Sequence, residues 1–178
     1  MVDDYKAKLL RKLKVRCSEV NQELIEVNDI YEQSISSFCL EVSCYCKENN
    51  IENPLEKLKA EKQEEDKKTI PSEFKSLYRK IAVETHPDKG ADDKKIEKYQ
   101  QATEAKKESK IDKLVSIAKD LKINLSEMTF ADIKIIEQSI IDTEKAISQI
   151  RSSYVWAWAF APNKRRRDII FKFVMNNV

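Results

Sequence analysis

Through the first fifty positions, apolar residues recur at alternating steps of three and four. They are Leu10, Leu13, Cys17, Val20, Leu24, Val27, Tyr31, Phe38 and Tyr45, a heptad seam interrupted at Ser34 and Glu41. The spacing predicts one long helix with an apolar stripe that needs a partner. No Pro or Gly falls between residues 3 and 48. Asp3 and Asp4 suit the helix start, and Asn49 or Asn50 can close its end in the left-handed conformation. A second seam follows the pattern Ile133, Ile136, Ile140, Ile147, Ile150 and Tyr154, with Thr143 in one seam position. It opens at Thr129-x-x-Asp132, a capping-box-like start. The two seams are natural partners. They predict an antiparallel hairpin that sets Ile133 near Tyr45 and Trp156 near Val20 or Leu24. Self-association through the same seams, giving a homo-oligomer, is the alternative.

Between the seams the pattern changes. Asn53-Pro54 reads as an N-cap followed by a first-turn proline, opening a short helix. Residues 61–69, EKQEEDKKT, carry mixed charge and no apolar face, which predicts a solvated linker. Phe74, Leu77, Tyr78, Ile81 and Ala82 then mark one face of a helix that Pro87 should stop near Thr85 or His86. Tyr99, Ala102 and Ala105 mark a further helix. Ile111, Leu114, Val115, Ile117, Ala118, Leu121 and Ile123 mark another, expected to pack back on the preceding pair. Past Pro162, Asn163 can cap a terminal helix whose apolar face is Ile169, Ile170, Phe173 and Val174. The resulting division is 1–50, a long heptad helix; 51–70, short helix and linker; 71–125, a helical core; 126–161, a second heptad helix; and 162–178, a basic terminal helix.

Composition narrows the class. One Gly and four Pro in 178 residues, with 36% of them charged, leave little for strands and tight turns. The fold expected is all-α, an internal helical hairpin inserted between two long helices that form an antiparallel coiled-coil arm. A formal net charge of +2 argues against general nucleic-acid binding as the main role. The longest apolar run, residues 154–162, is too short to span a bilayer, and the first 20 residues carry charge throughout. A cytoplasmic protein is expected, with a nuclear location open. Cys17, Cys39, Cys44 and Cys46 offer neither a disulfide framework nor paired CxxC zinc spacing, so reduced thiols and no metal are expected. No nucleophile–base pair and no Gly-rich phosphate loop stands out, so neither an enzyme nor a cofactor is expected.

Residues 74–90, FKSLYRKIAVETHPDKG, hold the only His and the only Gly of the chain. The helix sets Lys75, Arg79 and Lys80 opposite its apolar face and ends in His86-Pro87-Asp88, followed by Lys89. This block resembles the J-domain of DnaJ-type co-chaperones. Phe74, Tyr78, Ile81 and Ala82 fill the family's apolar positions in helix II. Lys75, Arg79 and Lys80 match its basic patch, and Tyr99, Ala102 and Ala105 match the face of helix III. The likeness covers roughly residues 70–110, and the HPDKG-ADDKK loop is also similar to the J-domains of viral T antigens, as in a viral or divergent member. Three departures stand out. Glu84 replaces a usual base, Lys106 replaces a usual aromatic, and the only helix I candidate, residues 54–61, is poor in apolar residues and displaced.

The resemblance implies a J-domain-only co-chaperone, without Gly/Phe region or zinc repeat. It would dock on a DnaK-type heat-shock chaperone and stimulate its ATPase. Lys75, Tyr78, Arg79, Lys80, His86, Pro87, Asp88 and Lys89 would form the chaperone-binding surface, and the helical arm would target an unknown client. The alternative is a structural coiled-coil interaction protein whose J-like module no longer stimulates a chaperone. Lys164, Arg165, Arg166 and Arg167 are a candidate basic partner site, read as a nuclear address, a phosphate contact or an acidic-partner site. The blander reading is a solvated helix start paired with nearby acids. Trp156 and Trp158 read as core packing or, more sharply, as an exposed aromatic pair.

Overall fold

The computed structural model describes residues 2–58, 70–89 and 92–178. Every regular element among them is helical, so the fold is all-α. The helices are α1 (Val2–Asn49), α2 (Pro54–Leu58), α3 (Ser72–Thr85), α4 (Asp93–Lys107), α5 (Ile111–Asp120), α6 (Phe130–Arg151), α7 (Tyr154–Ala159) and α8 (Asn163–Asn177). A 3₁₀ turn, Pro87–Lys89, follows α3. The expected linker, residues 61–69, and Gly90 lie outside the described residues. No helix among the described residues is long and apolar enough to cross a membrane.

Local chemistry sets the helix ends. Asp92 caps α4 by accepting from the Lys95 amide at 2.9 Å. Thr129 and Asp132 close a reciprocal capping box on α6: the Thr129 amide donates to Asp132 at 2.7 Å, and the Asp132 amide donates to Thr129 Oγ1 at 3.2 Å. Asn50, Ser109 and Lys122 take left-handed backbone, with φ of 54°, 56° and 57°. Each is followed by an amide bonded back to a helical carbonyl: Ile51 to Cys46, Lys110 to Ala105 and Ile123 to Ala118, all at 2.9 Å. A chain with one Gly ends its helices on other residues. At the far end, Pro162 rather than Asn163 is the N-cap of α8. The expected continuous helix through residue 161 breaks after Arg151, and Ser153 caps the short α7 through the Trp156 amide at 3.2 Å.

The helices form two compact units. The first holds Met1–Glu23 and Asp66–Glu144, the second Leu24–Glu65 and Lys145–Val178. The first unit packs Leu10, Leu13, Cys17 and Val20 of α1 against Phe74, Leu77 and Ile81 of α3, Ala102 and Ala105 of α4, most of α5, and Ile133, Ile136 and Ile140 of α6. Burying each such large aliphatic side chain contributes about 1.5–3 kcal/mol. As expected, α5 packs back on α3 and α4. Leu55 of α2 belongs to the second core, whereas Leu10 and Leu13 of α1 share the first core with Phe74 and Ile81 of α3.

The expected antiparallel pairing is overturned. Lys6 Nζ donates to the Ser126 carbonyl just before α6 at 3.2 Å, and Arg16 pairs with Glu144 well along it. The two helices therefore advance in the same direction within the first unit, and Ile133 shares a core with Leu10, while Tyr45 packs against the second core. Trp156 lies against Phe160, with ring centroids 4.8 Å apart and the rings tilted by 43°. The seam of α1 is also displaced. Val42 and Cys46 are buried and Tyr45 is only half-buried. Cys46 lies a whole number of turns of about 3.6 residues from Leu10, where a supercoiled heptad would end on Tyr45.

A carboxylate sits inside the first unit. Asp112 is 1% exposed and receives Ser139 Oγ at 2.7 Å, Thr143 Oγ1 at 2.8 Å and Asn21 Nδ2 at 2.9 Å. These donors tie α5 to α6 and α1. The second unit is built on rings. Phe38 meets Trp158 and Phe173 edge to face at 6.0 and 5.2 Å, with Val42, Val155, Ile170 and Val174 around them.

Candidate functional site on helix α3 and the following turn

Helix α3 has a buried face and an exposed, largely charged face that also carries Ser76 and Val83. Phe74, Leu77 and Ile81 are buried, and Lys75, Ser76, Arg79, Lys80 and Glu84 are exposed. The helix stops because Pro87 disfavours helical backbone at His86, which takes φ −64° and ψ 132°. Thr85 is fully buried in the last turn, its hydroxyl donating to the Ile81 carbonyl at 2.8 Å. The apolar face therefore anchors the helix while its basic face remains outside.

His86-Pro87-Asp88 is held as a folded loop. The Asp88 amide donates to His86 Nδ1 at 3.3 Å. The Asp88 carboxylate lies 3.5 Å from the same atom and is 87% exposed, free to bond outward. The imidazole meets the Tyr99 ring edge to face at 5.3 Å. Tyr99 comes from α4, so this contact fixes the loop to the helix opposite. A hydrogen bond with Tyr78, and then the charge of that group, push the Tyr99 phenol above the usual tyrosine range, with Asp88 adding to the shift.

Tyr78 joins the same layer. Its hydroxyl shares a hydrogen bond of 3.2 Å with Thr103, and the Lys106 ammonium lies 4.3 Å from the centre of its ring. Lys106 thus covers Tyr78 by a cation–π contact. Lys89 lies in the 3₁₀ turn, and its side chain is outside the described atoms. Lys75, Tyr78, Arg79, Lys80, His86, Pro87 and Asp88 come together on one helix and the turn that ends it.

Glu127 carries no mark in the sequence pattern. This residue of the α5–α6 turn meets Lys80 Nζ at 2.6 Å. Its carboxyl is held below the usual glutamate range by that hydrogen bond and by the lysine charge. A recess of about 250 Å³ separates turn from helix, lined by Ser76, Leu77, Lys80, Asn124, Leu125 and Met128 among others. The capping box at Thr129 announces the start of α6, but no local pattern marks residue 127 as a neighbour of residue 80.

The basic cluster does not form one surface. Lys164 and Arg165 are exposed. Arg166 is turned inward, donating to the Ala161 and Ala159 carbonyls at 3.3 and 3.5 Å, its guanidinium 4.4 Å from the Trp158 ring centre. Arg167 pairs with Glu48 at 3.1 Å. Trp158 is buried in the second core and donates from Nε1 to Glu41 at 2.9 Å, while Trp156 is half-buried.

All four cysteines are free. Burial, then the neighbouring Asp112 charge, push the Cys17 thiol up to about 12, so it is inert at neutral pH. Among the described residues, no group of His, Cys, Asp and Glu is placed to hold a metal ion. Comparison with family models, with curated proteins and with solved structures gave no match to this chain.

Proposed function

We propose that this chain is a J-domain-type co-chaperone that docks on a DnaK-type heat-shock chaperone and stimulates its ATPase, catalysing nothing itself. The observation that carries the reading is the loop: His86-Pro87-Asp88 ends an amphipathic basic helix and is braced by Tyr99 of the facing helix. The exposed Lys75 and Arg79 steer an acidic partner. Asp88 accepts a charge-assisted bond from a chaperone arginine. The brace on His86 reduces the ordering cost of docking. The second unit carries the targeting role, toward a client or a second copy, in a cytoplasmic setting.

The test is single-turnover ATP hydrolysis by a DnaK-type chaperone with and without the full chain. Wild type accelerates hydrolysis, and Asp88→Asn or His86→Gln abolishes the acceleration while thermal stability moves by no more than about 0.5 kcal/mol. Equal stimulation by wild type and both variants would remove the loop from the mechanism. One observation favours the rival structural reading: with Lys80 bonded to Glu127 and Glu84 exposed beside it, the basic face is weaker than three cations suggest. A wild-type chain that stimulates no DnaK-type chaperone leaves that rival standing.

A further inference from the structure

Glu127 reaches Lys80 from a turn that is built rather than loose. Asn124 Oδ1 accepts from the Ser126 amide at 2.9 Å, and Leu125 and Met128 are buried in the first core. The capping box then fixes the next residues. Buried Leu125 and Met128 on either side anchor Glu127 beside α3. The pair is exposed, with Lys80 and Glu127 side chains at 43% and 81% of full accessibility. An exposed pair of this kind adds little to folding. Its consequence lies in the charge it presents, an acid set on the rim of a basic face.

We propose that Glu127 is a specificity-determining residue of the α3 docking face, competing with the acidic surface of the chaperone for Lys80. The proposal rests on the reading of α3 as that face. A partner must displace Glu127 to use Lys80, and until then it meets a carboxylate that repels it. Both effects lower the association rate, because rim charges act mainly on encounter and on its salt dependence. Glu84, exposed further along the same helix, adds to the acid rim. Among the described residues, Lys75 and Arg79 are the other exposed cations of α3, so partners with acids opposite those two residues are favoured.

The experiment measures association of the full chain with a DnaK-type chaperone across ionic strength. Glu127→Gln should raise the association rate about three- to ten-fold at low salt. The gain should fade as the Debye length shrinks toward about 3 Å at 1 M salt. Adding Lys80→Gln to Glu127→Gln should remove much of the gain, since the gain depends on a Lys80 the partner can reach. Melting curves of all variants should coincide, separating docking from folding. An unchanged rate in Glu127→Gln overturns the proposal, and a lowered rate overturns it too, by showing that the partner places a base there. If wild type neither binds nor stimulates any DnaK-type chaperone, the docking reading itself falls and takes this one with it. Stimulation by wild type with no gain in the variant removes this one alone.

Discussion

Around Phe74 the first unit packs Leu77, Ile81, Leu114 and Ile136, and beside them it keeps a carboxylate, Asp112, in a ring of hydroxyl and amide donors. Around Phe38 the second unit packs Trp158 and Phe173 edge to face, and its polar contacts, Trp158 with Glu41 and Arg166 with the Trp158 ring, lie toward the rim. Aliphatic side chains interlock by shape, and the buried polar network supplies direction. Aromatic rings carry their own directional preference through the quadrupole. The unit bearing the candidate docking face is thus fixed by shape packing with one polar lock. The other is fixed by ring geometry.

Truncation of the central rings gives the largest effect. Phe74→Ala and Phe38→Ala should each cost about 3–5 kcal/mol. Replacement by Leu separates the two. Phe38→Leu loses two edge-to-face contacts of about 0.5–1.5 kcal/mol each on top of the lost packing, and should cost more than Phe74→Leu. Both tryptophans of the chain, Trp156 and Trp158, lie in the second unit. Denaturation followed by tryptophan emission therefore reports on that unit, and circular dichroism reports on both. If Phe74→Leu proves as costly as Phe38→Leu, the distinction between shape packing and ring packing is wrong.

The polar contacts give the next effect. Ser139→Ala or Thr143→Val removes a donor from a carboxylate that water cannot reach, at a cost of about 1–3 kcal/mol. Glu41→Gln should stay within about 0.5 kcal/mol, because an exposed amide oxygen still accepts from Trp158. Urea midpoints for the three variants test the contrast directly. A Glu41→Gln loss equal to that of Ser139→Ala would place the second unit's polar contacts in the core after all.

Much of this was legible in local sequence. Pro87 ending α3, the Thr129–Asp132 box and the apolar face of α5 each rest on neighbours within a few residues. The direction of α6 beside α1 was not legible, because a heptad seam reads the same from either end. It is set instead by groups far apart in sequence, such as Lys6 with Ser126 and Arg16 with Glu144. The loop residues of the candidate site were readable for the same reason as the caps, being contiguous. Tyr99 was found as an apolar position rather than as the brace for His86, since a ring contact across helices leaves no periodic trace. Glu127 was missed because its pairing with Lys80 is tertiary. The split of the basic cluster depends on where Trp158 and Glu48 lie, which the run of four bases does not encode.

The smallest effect concerns the helix ends and is the one that raises stability. Ser109 and Lys122 close α4 and α5 of the first unit in left-handed backbone, and Asn50 closes α1 in the second. A side chain with a Cβ costs roughly 1–2 kcal/mol in that conformation, and Asn tolerates it better than most. Gly escapes this steric cost but gives back part of the gain through the greater freedom of the unfolded chain. Lys122→Gly and Ser109→Gly should therefore each stabilise by about 0.5–1 kcal/mol, and Asn50→Gly by less. In a chain of this length, 1 kcal/mol corresponds to about 2–4 °C in melting temperature, so melts of the three single variants resolve the order. The expected ranking puts Lys122 and Ser109 above Asn50, because the first unit uses ordinary residues where the second already has the better-suited one. A gain at Asn50 as large as that at Lys122 would show that side-chain identity at these caps does not distinguish the units, leaving their difference to the cores alone.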